Sequence, residues 1–309
     1  MEVVRWPAES DWPYERGACT LGVFDGVHLG HQKVLWRVVD EAKSRGMPAV
    51  VITFDRHPGL TLGEPGEPFI TALEHRLCLF EDLGLDGCVV IEFDEEVARI
   101  GARDFARKMF GDLIEAKVVV IGFDSKFGKG GEGDIETLRN MQDELGIEVY
   151  EVPSIRVDGE VVSSTAIREA VREGDLERAE RLLGRPYSMY GTVVHGAGLG
   201  HEMDCPTANL EVHHELFPKE GVYATWLHYR GNRWESVTSV GTRETIEWLD
   251  EHPPVIEVHV LGKEVDLYGE DVEVVFVDWI REQRKYERVQ ELKEQLPRDC
   301  AAATEKLNR

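Results

Sequence analysis

Through Gly184 this chain alternates short, nearly uninterrupted apolar runs with stretches of helical periodicity, and after Arg185-Pro186 the alternation stops. Residues 19–24, 49–54, 88–93, 118–121 and 148–153 read as strands. Residues 33–45, 72–83, 102–110 and 135–145 read as the helices between them, and 163–173 and 176–183 as two more that close the domain. Strands that are apolar on both faces and separated by helices imply a parallel sheet covered on each side, with ligands at the carboxyl ends of its strands. Beyond residue 186, β-branched or alternating runs at 187–195, 222–229, 234–240, 255–261 and 272–278 are separated by glycine or proline turns. That pattern implies an antiparallel barrel or sandwich, closed by a helix near 288–296. Two domains are expected, residues 1–185 and 186–309.

Length and composition fit this organisation. The 309 residues, 42% of them hydrophobic, suffice for two cores. Against 59 acidic residues stand 35 Lys and Arg, for a formal charge of −24. A surface that acidic repels nucleic acid and anionic membrane alike, so neither is an expected partner. Cys19, Cys78, Cys88, Cys205 and Cys300 form no Cys-x-x-Cys pair, which argues against a zinc site or disulfide framework and fits a reducing cytoplasm. The first residues carry no apolar signal segment, and runs such as 118–121 are far too short to span a bilayer.

The richest segment is Gly22-Val23-Phe24-Asp25-Gly26-Val27-His28-Leu29-Gly30-His31, placed between an apolar strand and an amphipathic helix. A helix N-terminus offers unpaired N–H groups and a partial positive charge to a phosphate. Imidazoles beside it can hydrogen-bond phosphate oxygens while charge moves, and glycines let the backbone approach a nucleotide. The chemistry implied is attack on the α-phosphate of a nucleoside triphosphate with release of pyrophosphate. Two surface histidines around a turn is the plainer reading, and the strand–turn–helix placement weighs against it.

Four further segments carry candidate chemistry. Thr53-Phe54 with His57-Pro58 leaves the second strand at the ligand-binding edge, where an ordinary strand exit is the alternative. Residues 122–128 leave the fourth strand there, with Asp124 able to accept from a ring N–H and Phe127 able to pack an aromatic ligand, or else to sit in the core. Ser163-Ser164-Thr165 caps a helix, and Arg168 one turn later offers a fork for phosphates. In the second domain Thr207 and Asn209, two apart on an extended segment, are oxygen donors suited to Mg²⁺ or simply parts of a turn. Glu257 lies mid-strand, as a solvent-facing residue or a general base.

Together these motifs resemble, in order and spacing and over essentially the whole chain, the prokaryotic bifunctional riboflavin kinase/FMN adenylyltransferase (FAD synthetase) family. The C-terminal likeness includes residues 191–196, 206–209, 218–224, 241–243, 257–259 and 266–269. The resemblance implies an α/β nucleotidyltransferase with a Rossmann-like parallel sheet, followed by an antiparallel β-barrel of riboflavin kinase type. It implies Mg²⁺, with ATP, riboflavin and FMN as substrates, in a cytoplasmic enzyme acting on small molecules. His28 and His31 would stabilise the α-phosphate transition state. Gly22, Phe24, Gly30, Ser163, Ser164, Thr165 and Arg168 would contact the nucleotide, with Arg168 also counted as catalytic. Phe54, His57, Pro58, Asp124 and Phe127 would line the flavin side. In the kinase half Thr207 would contact nucleotide and, with Asn209, the metal, and Glu257 would be the base.

The chain departs from the family pattern at Gly200-His201-Glu202-Met203-Asp204-Cys205, where Gly-Arg-x-Leu-Gly-Phe is usual. It also has Ser239 for the usual Asn, Glu244-Thr245-Ile246 for Pro-Thr-Phe, and Ser125 where an aromatic is common. Rival readings are a monofunctional adenylyltransferase with a silent kinase, a paralogue adenylylating another phosphate-bearing acceptor, and a non-enzymatic flavin-binding regulator.

Overall fold

The computed structural model describes residues 1–8, 12–61, 67–195, 207–213, 216–241, 255–263, 265–284, 286 and 288–308. The chain divides into two compact units, Met1–Phe69 with Leu73–Ser163, and Ile70–Ala72 with Ser164–Arg309.

In the first unit the elements run β1 (Glu2–Trp6), β2 (Ala18–Leu21), a short 3-10 turn (Asp25–Val27), α1 (Leu29–Arg45), β3 (Ala49–Phe54), α2 (Pro58–Thr61) and α3 (Leu73–Asp82). They continue with β4 (Gly87–Ile91), α4 (Glu95–Ala98), α5 (Ala102–Ala106), β5 (Val118–Gly122), α6 (Ile135–Arg139), α7 (Gln142–Leu145) and β6 (Glu148–Val152). A hairpin of β7 (Arg156–Val157) and β8 (Glu160–Val161) follows. The sheet has the order β1-β4-β3-β2-β5-β6, and every pairing in it is parallel. From β2 the order runs one way through β3 and β4 and the other way through β5 and β6. The crevice outside the carboxyl end of β2 is thus the switch point where such sheets bind ligands.

Alternation along the strands sorts the core into two layers. Cys19, Leu21, Val50, Ile52, Val119 and Ile121 pack with Phe105, Met109 and Phe110, while Ala18, Val51, Val90, Val118 and Val120 pack with Leu35, Val38 and Phe80. Each such fully buried Leu or Phe contributes about 1.5–3 kcal/mol.

The second unit opens with α8 (Ser164–Glu173) and α9 (Leu176–Leu183). The backbone N–H of Lys219 donates to the carbonyl of Val171 at 3.3 Å, and α9 packs on β14. These contacts join the two helices to the rest of this compact unit. The strands β9 (Ser188–Val194), β10 (Ala208–Val212), β11 (Gly221–Tyr229), β12 (Asn232–Gly241), β13 (Val255–Val260) and β14 (Asp271–Arg281) close into a barrel, ordered β10-β13-β12-β11-β14-β9. All its pairings are antiparallel. Helix α10 (Val289–Leu307) packs on β11, β12 and β14. Barrel, not sandwich, is therefore the architecture.

Two candidate active sites

In the first unit the turn after β2 is held in a costly conformation. Phe24 and Val27 both have positive φ (52° and 40°), which costs about 1–2 kcal/mol for each non-glycine residue. Phe24 is buried and its ring meets His31 edge-on at 5.3 Å and Phe80 at 5.9 Å. The strain thus places an aromatic wall behind the histidines. His28 is the N-cap of α1, and its Nδ1 accepts the backbone N–H of His31 at 3.2 Å. A ring that accepts at Nδ1 carries its neutral-state proton on Nε2, so His28 presents an N–H donor.

The two imidazoles stack at 3.6 Å between centroids, 15° from parallel. Gly30 permits this. A Cβ there would stand 3.0 Å from Cε1 of His28 and 3.1 Å from its Nδ1. Burial, the neighbouring His28 and the nearby Arg76 guanidinium together hold His31 well below the usual histidine range, so it stays neutral.

Arg76, on α3, was not singled out from the sequence. It is fully buried. Its Nη1 donates to the carbonyl of Val23 at 2.5 Å and to Oγ1 of Thr53 at 3.0 Å, and Nη2 donates to the carbonyl of Phe54 at 3.0 Å. One guanidinium therefore ties the carboxyl ends of β2 and β3 together, and its charge lies over the Phe69 ring at 4.9 Å. Burial lowers its pKa, with Asp25 the leading charge in opposition. A lone arginine in a short helix ordinarily reads as solvent-facing, so nothing in the spacing marked this one as buried.

The expected flavin-side residues divide. His57 accepts the N–H of Gly59 on Nδ1 at 3.2 Å and stands with Pro58 half-buried after β3. Asp124 is exposed after β5. Phe54 is buried against Phe93 at 5.6 Å. Phe127 is a core residue, 5% exposed, packed near Phe105 and Phe110 at 6.1 and 6.4 Å. The exposed aromatic of that loop is Phe123, at 52%. Gly22 sits under the Phe24 ring, where a Cβ would come within 3.0 Å. Ser163 precedes α8, Ser164 begins it, Thr165 is exposed and Arg168 is buried at 6% exposure.

In the barrel, strand register makes a second cluster. Asn209 on β10 is the direct cross-strand partner of Glu257 on β13, so the two side chains lie on one face. Asn209 is nearly buried, at 8%. Thr207, just before β10, lines a cavity of about 380 Å³ with Val193, Val258, Lys263, Asp266 and Tyr268. The Tyr268 ring stacks on His195 at 3.9 Å. His201, Glu202, Asp204 and Cys205, like residues 242–254, lie outside the described residues.

Against known proteins, the family model described as FAD synthetase matches residues 12–166, and that for riboflavin kinase matches residues 183–307. The bifunctional riboflavin kinase/FMN adenylyltransferase of Escherichia coli K12 is 33% identical over 298 residues, 96% of this chain and 94% of that one. The protein of the same description from Listeria monocytogenes is 35% identical, over 94% of this chain and 92% of that one.

The chain belongs to the bifunctional riboflavin kinase/FMN adenylyltransferase family. Both enzymatic halves, a nucleotidyltransferase and a kinase, are present, and the monofunctional, paralogue and regulator readings are not favoured. A crystal structure described as a macrolide-efflux protein from Streptococcus pneumoniae shares the fold at a TM-score of 0.82 and 29% identity, covering 98% of this chain and 99% of that one. Among the described residues of this family member, no helix is long and apolar enough to cross a membrane. The first half holds the strand–turn–helix with its stacked histidines, and the second the Asn209–Glu257 row.

Proposed function

We propose that the chain makes FAD in two steps, each in one of the expected domains, 1–185 and 186–309, in the cytoplasm. In the barrel half the 5′-hydroxyl of riboflavin attacks the γ-phosphate of ATP, giving FMN and ADP. In the first half a phosphate oxygen of FMN attacks the α-phosphate of a second ATP, giving FAD and pyrophosphate. The observation that carries the second step is the hydrogen bond on His28 Nδ1, which leaves the neutral ring's proton on Nε2 at a helix N-terminus. Such a donor stabilises charge developing on the α-phosphate, and His31, kept neutral, supports it without adding a competing charge. Gly22, Phe24 and Gly30 shape this turn for the nucleotide, and Ser163, Ser164, Thr165 and Arg168 hold the triphosphate tail. His57, Pro58 and Asp124 face the flavin. Phe54 and Phe127 support that face from the core, and Phe123 supplies the exposed ring.

In the kinase half Glu257 takes the proton of the attacking hydroxyl. Thr207 and Asn209 are hard oxygen donors of the kind Mg²⁺ takes, and two neutral donors leave its other positions to phosphate and water. Bound there, Mg²⁺ neutralises charge on the triphosphate. The partners are small molecules, ATP and flavins, with neither nucleic acid nor membrane. Pyrophosphate release from ATP and FMN tests the first-half reading. His28→Ala is expected to lower it about 100-fold or more, the cost of a lost transition-state donor, and wild-type release by that variant would refute it.

A further inference from the structure

The row that holds Asn209 and Glu257 has a third member. Ser239 on β12 is the cross-strand partner of Glu257 on the side opposite Asn209, so the three side chains share one face, with neighbouring Cβ atoms about 5 Å apart. The hydroxyl is itself held. Nε2 of Gln283 donates to Oγ of Ser239 at 3.0 Å.

Gln283 follows the end of β14 by two residues, and that end is fixed. Arg281 donates from Nε and Nη2 to the two carboxylate oxygens of the buried Asp299 on α10, at 2.9 and 2.7 Å. Gln295 adds a third donor to the same carboxylate at 2.8 Å. Gly241 leaves the passage open, since a Cβ there would stand 3.0 Å from Nε2 of Gln283. A serine oxygen that accepts an amide N–H still has its own proton to donate.

We propose that Ser239 binds the polyol chain of the kinase substrate. It donates its O–H to a hydroxyl oxygen next to the one that Glu257 deprotonates, and Gln283 is the positioning residue that turns the O–H that way. The proposal rests on the reading of the barrel as the kinase half. It assigns α10 a purpose in that site, because the helix fixes Arg281 and Arg281 fixes the segment that carries Gln283.

The test is steady-state kinase kinetics of the full chain, with FAD formation from FMN measured on the same samples to report folding. Ser239→Ala is expected to raise KM for riboflavin about tenfold, the scale of one lost hydrogen bond, with KM for ATP unchanged. Gln283→Glu keeps size and shape, yet its carboxylate accepts the serine proton, so it is expected to raise KM for riboflavin similarly. The double variant is expected to be no worse than Ser239→Ala. Inhibition by lumiflavin, which has the ring system without the polyol, is expected to be the same in all variants. Wild-type KM for riboflavin in Gln283→Glu, additive effects, or equal weakening of lumiflavin would overturn the proposal. Absence of kinase turnover in the wild type would instead refute the reading beneath it. Riboflavin binding by fluorescence titration then decides, tenfold weaker binding to Ser239→Ala supporting the proposal and equal binding overturning it.

Discussion

At His28 the ring's Nδ1 accepts the backbone N–H of His31, which leaves the neutral ring's Nε2–H as its donor. Anything that turns the ring removes that donor. Gly30→Ala is expected to lower the FMN adenylylation rate about 10- to 100-fold with the kinase unchanged, since the new methyl displaces the ring it touches. Phe123 and Phe127 separate binding from packing. Phe123→Ala is expected to raise KM for FMN with little change in unfolding midpoint, whereas Phe127→Ala is expected to cost about 3–5 kcal/mol of first-half stability in urea unfolding.

His31 gives a pH signature. Its folded-state pKa lies well below the ordinary value, so unfolding lets it take up a proton that the native state refuses. The stability of the neutral ring is fully present above about pH 6.5 and is lost as pH falls toward the folded value. Urea unfolding at pH 7.5 and 5.5 is expected to show a loss in the wild type that is smaller in His31→Gln.

Between elements, buried charge does the joining. Arg76 on α3 binds the ends of β2 and β3, and Asp299 on α10 binds the end of β14. Removing one partner of a buried ion pair costs about 3–5 kcal/mol, and Asp299→Ala is expected to destabilise the barrel by that amount, read as a lowered midpoint for loss of kinase activity. The elements that escaped the sequence are those whose reason lies in such contacts. β1 is a five-residue edge strand with one buried residue, too short and too charged to show a pattern. β10 pairs β9 on one side and β13 on the other, although its Ala-Asn-Leu-Glu-Val run has no β-rich signature. α10 runs through Pro297 to Leu307, beyond the end expected near residue 296. Burial of Asp299 and Ala303 compensates for the lost backbone bond. By contrast, β3 and β5 are continuous apolar runs and α1 carries a clean apolar stripe, so the parallel sheet and the histidine turn between β2 and α1 were legible. The stacking of the histidines, Arg76 and the Ser239–Gln283 pair were not, because each joins residues far apart in sequence or sets a side-chain angle that spacing does not encode.

For the whole molecule, two folds in one chain carry the two activities of its family, a nucleotidyltransferase and a kinase. On a chain of net charge −24, the favourable charge for a phosphate-bearing substrate has to come from local groups, and the α1 N-terminus is the one that the proposed first-half site offers. The proposed assignment of both steps to these residues is read by chromatography of the products after incubation with Mg²⁺ and ATP, once with riboflavin and once with FMN. The wild type is expected to give FAD from both. His28→Ala is expected to stop at FMN when given riboflavin, and Glu257→Gln to give FAD from FMN alone. No flavin product from the wild type, or FAD from riboflavin at the wild-type rate in either variant, contradicts the account.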